Sequence, residues 1–166
     1  MIQIVSIIVV IVATISYIMI VNFKATKIHK MSFKESIDLT ELPIITFEVG
    51  KNKKFNFLLD TGSNDSIVDR TALETKGVSY IDAGMEGNLV GLDSTESKKV
   101  SFVKIDLFYK ERTYSNNFLV TDLSTVINSI KESSGVVMHG LLGSNFFNKY
   151  KYVIDFDKLI AYSKIK

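Results

Sequence analysis

One acidic residue dominates the chemistry this chain offers. In Phe55-Asn56-Phe57-Leu58-Leu59-Asp60-Thr61-Gly62-Ser63 an apolar strand runs straight into Asp-Thr-Gly. The pattern sets a carboxylate at the end of a buried strand and then turns the chain on a glycine. A carboxylate in that setting is costly to leave without partners. It either opens a turn or serves as an acid or base, and the tripeptide alone does not choose between the two. Competing chemistries are thin. With no Cys there is no thiolate nucleophile, disulfide framework or cysteine-ligated zinc. The only two histidines are His29 and His139, and no HExxH occurs. That argues against a His-based metal site or a Ser-His-Asp triad. No cofactor and no metal are expected. A net charge of +2 gives no ground for nucleic-acid binding.

The elements that must position Asp60 read mostly as strands. Ile44 to Val49 alternates, Gly50-Lys51-Asn52-Lys53 reads as a hairpin turn, and Lys54 to Leu59 returns to Asp60. Ser66 to Asp69 resumes extended structure, and Arg70 to Lys76 reads as a helical turn closed by Gly77. Gly84 to Gly91 carries three glycines around an apolar centre, which suits a hairpin. Val100 to Tyr109 alternates with one break of phase, expected to be a bulge. Tyr114 to Val120 reads as a strand and Leu123 to Ile130 as an amphipathic helix. Val136 to Gly143 then reads as an apolar strand ending in Leu-Leu-Gly, with a short helix over Ser144 to Lys149. Tyr150 to Phe156 and Leu159 to Ser163 close the chain as a hairpin around Asp157-Lys158. Many short strands with one or two short helices predict an all-β domain, closed or sandwiched.

The chain of 166 residues therefore divides into a globular domain over 42–166 and an N-terminal appendage. No charged side chain occurs from Met1 to Phe23. A helix over Ile2 to Val21 would span roughly 30 Å, the thickness of a bilayer's hydrocarbon core. A cleaved signal peptide is the alternative, but it would carry a basic start and a small-residue cleavage site. Residues 1–23 are thus expected to be a transmembrane anchor in contact with lipid, and residues 24–41 a juxtamembrane linker. Lys24, Lys27, Lys30 and Lys34 follow the anchor and no Lys or Arg precedes it. The positive-inside rule then places the globular domain in the cytoplasm, an extracytoplasmic placement staying open.

Two stretches together resemble the signatures of the retropepsin-like aspartic proteases. Leu58-Leu59-Asp60-Thr61-Gly62-Ser63 is similar to the first, and Gly140-Leu141-Leu142-Gly143-Ser144-Asn145-Phe146-Phe147 to the second. Tyr152-Val153-Ile154-Asp155-Phe156 resembles the strand that follows in bacterial members. The glycine-rich Gly84–Gly91 falls where that family has its flap. The resemblance implies a closed β-barrel with one or two short helices, preceded here by one transmembrane helix. It also implies a membrane-anchored aspartic endopeptidase acting on a peptide or protein substrate. The alternative is a peptide-binding or dimerisation module of the same fold without turnover.

Amide hydrolysis without metal or covalent intermediate needs a base for water and an acid for the carbonyl. Two carboxylates sharing one proton supply both, because like charges about 3 Å apart do not both ionise. This chain carries a single Asp-Thr-Gly. The second carboxylate is therefore expected from Asp60 of another copy, in a homodimer whose dyad titrates as a unit. The resemblance gives the remaining roles. Thr61 would brace the paired loops across the two-fold axis, and Gly62 would turn the backbone and hold the dyad. Ser63, Asn64 and Asp65 would meet substrate or carboxylate. Leu89 and Val90 would close over the peptide, Leu141 and Leu142 would wall its subsites, and Gly143 would pack beneath the catalytic loop. Where retroviral members often pair an Asp with an Arg, this chain has Asn64 and Ser144. Both charges are absent together, so no charge is left buried alone and the loop must be braced in another way.

Overall fold

The computed structural model of the chain describes residues 13–14, 27–90 and 97–165, without the side chains of 27, 88–90, 97–99 and 165. The expected anchor over 1–23 lies outside the described residues except at Ala13 and Thr14. Among the described residues, no helix is long and apolar enough to cross a membrane. The chain divides into two units, Met1–His29 with Lys164–Lys166, and Lys30–Ser163. The second carries the barrel and the candidate site.

In chain order the elements are β1 (Lys27–Ser32), α1 (Lys34–Thr40), β2 (Ile44–Val49), β3 (Lys53–Leu59), β4 (Ser66–Asp69), α2 (Arg70–Thr75), β5 (Ile81–Val90), β6 (Ser97–Tyr109), β7 (Arg112–Thr121), α3 (Ser124–Ser134), β8 (Gly140–Leu142), α4 (Ser144–Tyr150), β9 (Tyr152–Asp155) and β10 (Ile160–Ile165). The larger sheet runs β2-β3-β8-β4-β7-β6-β5, and β2 also pairs with β6 through Glu48↔Phe108 and Val49↔Leu107. That extra pairing closes six strands into a barrel and leaves β5 outside it, paired with β6. The smaller sheet is ordered β1-β10-β9.

Alternation decides what each strand buries. In β2 the inward residues are Ile45, Phe47 and Val49, and in β3 they are Phe55, Phe57 and Leu59. Their rings meet edge-on at the centre, Phe47 against Phe57 at 6.0 Å and against Tyr114 at 6.0 Å. Each such side chain contributes roughly 1.5–3 kcal/mol on leaving water. The α2 helix starts where Asp69 caps it, accepting from the Ala72 N–H at 2.9 Å.

Three sequence expectations change here. Residues 24–41 are no mere linker, because β1 and α1 lie within them. Met31 and Phe33 are each 1% exposed, the Phe33 N–H donates to Leu159 O at 3.0 Å, and Ile37 packs on the same core. Lys24, Lys27, Lys30 and Lys34 are interspersed among the apolar residues of that stretch and obscure their pattern. The phase break in β6 is also no bulge. Its pairing with β7 runs unbroken from Phe102↔Leu119 to Tyr109↔Arg112, and the irregularity falls in β5 between Asp82 and Glu86. Phe102 turns to a second small cluster with Ile67, Val100 and Leu119, whereas Val103, Ile105 and Leu107 face the main core. At Val100 and Phe102 the strand is covered on its second face too, whereas Lys104, Asp106 and Phe108 in that same phase are exposed. Finally, only Gly140–Leu142 of the expected strand over 136–143 pairs in the sheet, while α3 runs on to Ser134 and stops at Gly135, whose φ is 76°.

Candidate active site

Asp60 leaves the barrel at the point where three strands converge. The short β8 lies between β3 and β4, parallel to the first through Leu58↔Leu141 and Leu59↔Leu142. It is antiparallel to the second through Ile67↔Leu141 and Val68↔Gly140. The Asp60 N–H continues this pairing by donating to Leu142 O at 3.0 Å. Its carboxylate Oδ1 accepts the Gly62 N–H at 2.9 Å, which fixes the side chain against its own turn. Asp60 is half-buried, while Thr61 and Gly62 are exposed at the tip.

The loop from Thr61 to Asp65 is fastened along its length to the start of α4. Ser144 N–H donates to Ser63 O at 2.8 Å, Asn145 N–H to Asn64 O at 3.0 Å, and Ser144 Oγ to Thr61 O at 3.0 Å. Ser63 Oγ donates to Asp65 O at 2.7 Å. The two segments lie so close that only glycine fits at 143. A Cβ there would stand 2.4 Å from Asp65 O and 3.0 Å from Ser63 O. Gly140 is equally confined, since a Cβ would meet Ile67 O at 2.4 Å and the Phe57 ring at 2.8 Å.

Beneath the loop sits a buried polar hub on Ser66, which is 0% exposed. Its Oγ donates to Asn145 Oδ1 at 2.6 Å and accepts from Gly143 N–H and Asn116 Nδ2, both at 3.0 Å. The Ser66 N–H also donates to Asn145 Oδ1, at 3.1 Å. A neutral network with all its members satisfied does the bracing that an ion pair would otherwise do. Sequence reasoning assigned no role to Ser66, Asn116 or Asn145. The signal was present at Asn116, a polar residue in the inward phase of β7 between Tyr114 and Phe118.

A second clasp holds the other end of β8. Asn56 N–H donates to His139 Nδ1 at 3.1 Å, His139 N–H to Asn56 O at 2.8 Å, and Asn56 Nδ2 to Val137 O at 2.8 Å. His139 is 8% exposed and its ring lies 4.9 Å from that of Phe55. Burial, with Lys76 nearby and only partly opposed by Asp69, pushes its pKa down to about 4.

The structure thus brings Asp60, Thr61, Gly62, Ser63, Asn64 and Asp65 together with Leu141, Leu142 and Gly143. Leu141 is half-buried and packs on the second cluster beside Ala83 and Leu123. Leu142 corrects its expected role: it is 0% exposed within the main core, so it supports the loop from inside and walls no subsite. Leu89 and Val90 stand at the end of β5, paired with Lys98 and Ser97, and their side chains lie outside the described residues. Among the described residues no cluster of His, Asp and Glu is fit to hold a metal ion.

No protein-family model matches the sequence, and no curated protein matches it. Solved structures do. The chain is similar to a retropepsin-like aspartic protease from Rickettsia conorii, with 16% identity and a TM-score of 0.50, over 84% of this chain and 91% of that one. It is also similar to the EIAV protease in complex with the inhibitor HBY-793, with 18% identity and a TM-score of 0.43, over 68% and 90% of the two chains. The likeness to the Rickettsia structure establishes the fold, a retropepsin-like closed barrel.

Proposed function

We propose that this chain is a membrane-anchored aspartic endopeptidase, active as a homodimer in which Asp60 of each copy contributes half of the catalytic pair. The observation that carries this reading is Asp60 itself. It stands at the end of a barrel strand, its Oδ1 held by the Gly62 N–H, on a loop braced from below by Ser66 and Asn145. One carboxylate of the pair takes a proton from water as that water attacks the peptide carbonyl. The other gives its proton to the carbonyl oxygen. As the resulting diol collapses the C–N bond breaks, the first carboxyl protonates the leaving amine and the second takes a proton back from a diol hydroxyl, which restores the pair. The hairpin of β5 and β6 covers the peptide and excludes water. Leu141 offers an apolar wall to a substrate side chain. Residues 1–23 hold two copies in one membrane plane and so raise their effective concentration, with the barrel on the cytoplasmic side.

The full-length chain tests this directly in a peptide-cleavage assay. Asp60→Asn lowers turnover by at least ~10²-fold if the carboxylate is an acid–base group. Mixing equal amounts of Asp60→Asn and unaltered chain, then letting the copies exchange, leaves about a quarter of the protein as fully competent dimers. Cleavage indifferent to the substitution would overturn the assignment of Asp60. Activity that falls only in proportion to dilution would overturn the shared site.

A further inference from the structure

We propose that His139 is a pH-sensitive latch on the strand pairing that positions Asp60: with Nδ1 unprotonated it locks β3 to β8, and on protonation it releases them. The geometry is specific. Residues 137–139 grip every polar group of Asn56 that faces them, through Val137 O, His139 N–H and His139 Nδ1. Asn56 immediately precedes the run Phe57↔Gly140, Leu58↔Leu141, Leu59↔Leu142, which ends in the hydrogen bond from Asp60 N–H to Leu142 O. The latch therefore lies at one end of a three-residue parallel ladder and Asp60 at the other. The bond from Asn56 N–H requires a lone pair on Nδ1. A proton there sets two donors against each other inside the fold, and a buried donor without an acceptor is costly.

The surroundings offer the cation little relief. Of the charged groups acting on the ring, Lys76 at the end of α2 repels it. Lys76 Nζ already lies over the Phe55 ring, 5.6 Å from its centroid. Asp69, at the end of β4, attracts the cation, but both carboxylate oxygens are committed, Oδ2 to Ala72 N–H and Oδ1 to Leu123 N–H. The depressed pKa of the ring agrees with this arrangement. His139 is a positioning residue: it acts on Asp60 only through the strand pairing. The latch rests on the protease reading solely for its effect on catalysis.

The test measures the latch without measuring cleavage. Amide hydrogen exchange of the full-length chain is followed from about pH 7 to about pH 4, across the histidine range. Protection factors are compared for Asn56, Asp60 and the β6–β7 amides. Protection at Asn56 and Asp60 falls by at least ~10-fold toward the acid end, ahead of β6–β7. In His139→Asn, whose Oδ1 replaces Nδ1 as an acceptor but takes no proton, that acid-dependent loss disappears. An equal loss in His139→Asn, a loss spread evenly over β6–β7, or none at all would overturn the latch. So would an NMR titration of His139 in the unaltered chain giving an ordinary histidine pKa. The Asp60→Asn cleavage assay separately decides the protease reading.

Discussion

Ser66 Oγ donates to Asn145 Oδ1 over 2.6 Å, and through that bond the strand leaving the Asp60 loop is tied to the helix that follows Gly143. The same oxygen of Asn145 takes the Ser66 N–H, so one side chain satisfies two donors of a fully buried residue. Removing it strands both. Asn145→Ala is expected to lower the unfolding free energy by roughly 2–6 kcal/mol, since each orphaned buried group costs about 1–3 kcal/mol. Urea titration of the two proteins measures the difference. Asn145→Asp keeps the acceptor and is expected to lose less.

Gly143→Ala tests the packing of the loop. The added methyl meets the backbone of Asp65 at 2.4–2.5 Å, where no flexible side chain can move aside. The loop must shift, and the Asp60 carboxylate shifts with it. The expected cost is about 1–3 kcal/mol of stability. Loss of cleavage should exceed what the unfolded fraction explains. Gly135→Ala serves as a comparison, because nothing lies within 4 Å of that added carbon and only its φ of 76° is strained.

Stability should depend on pH through His139. Its pKa is about 4 folded, against an ordinary 6.5. Between those values the unfolded chain binds the proton and the folded chain does not, so stability rises with pH across that window. The contribution is complete above about pH 6.5 and lost by about pH 4, a span of roughly 3 kcal/mol. Chemical denaturation at a series of pH values reads the slope, and His139→Asn is expected to flatten it.

Phe33→Ala tests whether the residues before Leu42 belong to the fold. The ring is 1% exposed and meets Phe156 edge-on at 5.5 Å. Its removal is expected to cost about 3–5 kcal/mol. Leu39→Ala, at a position 61% exposed, is expected to cost little. Thermal melts of the two variants separate a structural segment from a tether.

What the sequence made legible was local. The strand before Asp60, the tight turn at Gly62 and the Leu-Leu-Gly of β8 are patterns a few residues long, and each stands where it was expected. Closure of the barrel through Val49↔Leu107 was not legible, because strand partners so far apart leave no mark on either segment alone. The hub at Ser66 draws on Asn116 and Asn145, each separated from it by a long stretch of chain. Only the polar residue in the inward phase of β7 hinted at it. Leu142 was misassigned for a related reason: alternation separates the faces of a strand, but not a face toward substrate from a face toward core.

The position of β8 also sets a timetable for the chain. Asp60 is anchored to Leu142, and the Thr61–Asp65 loop to Ser144 and Asn145, in a stretch synthesised long after the loop itself. Loop closure over such a distance is slow, and contacts of this span form late. A ribosome-bound chain that has not yet released residues 140–145 has no backbone on which to set its aspartate. The loop that carries Asp60 is therefore without its support until β8 and the start of α4 have been made.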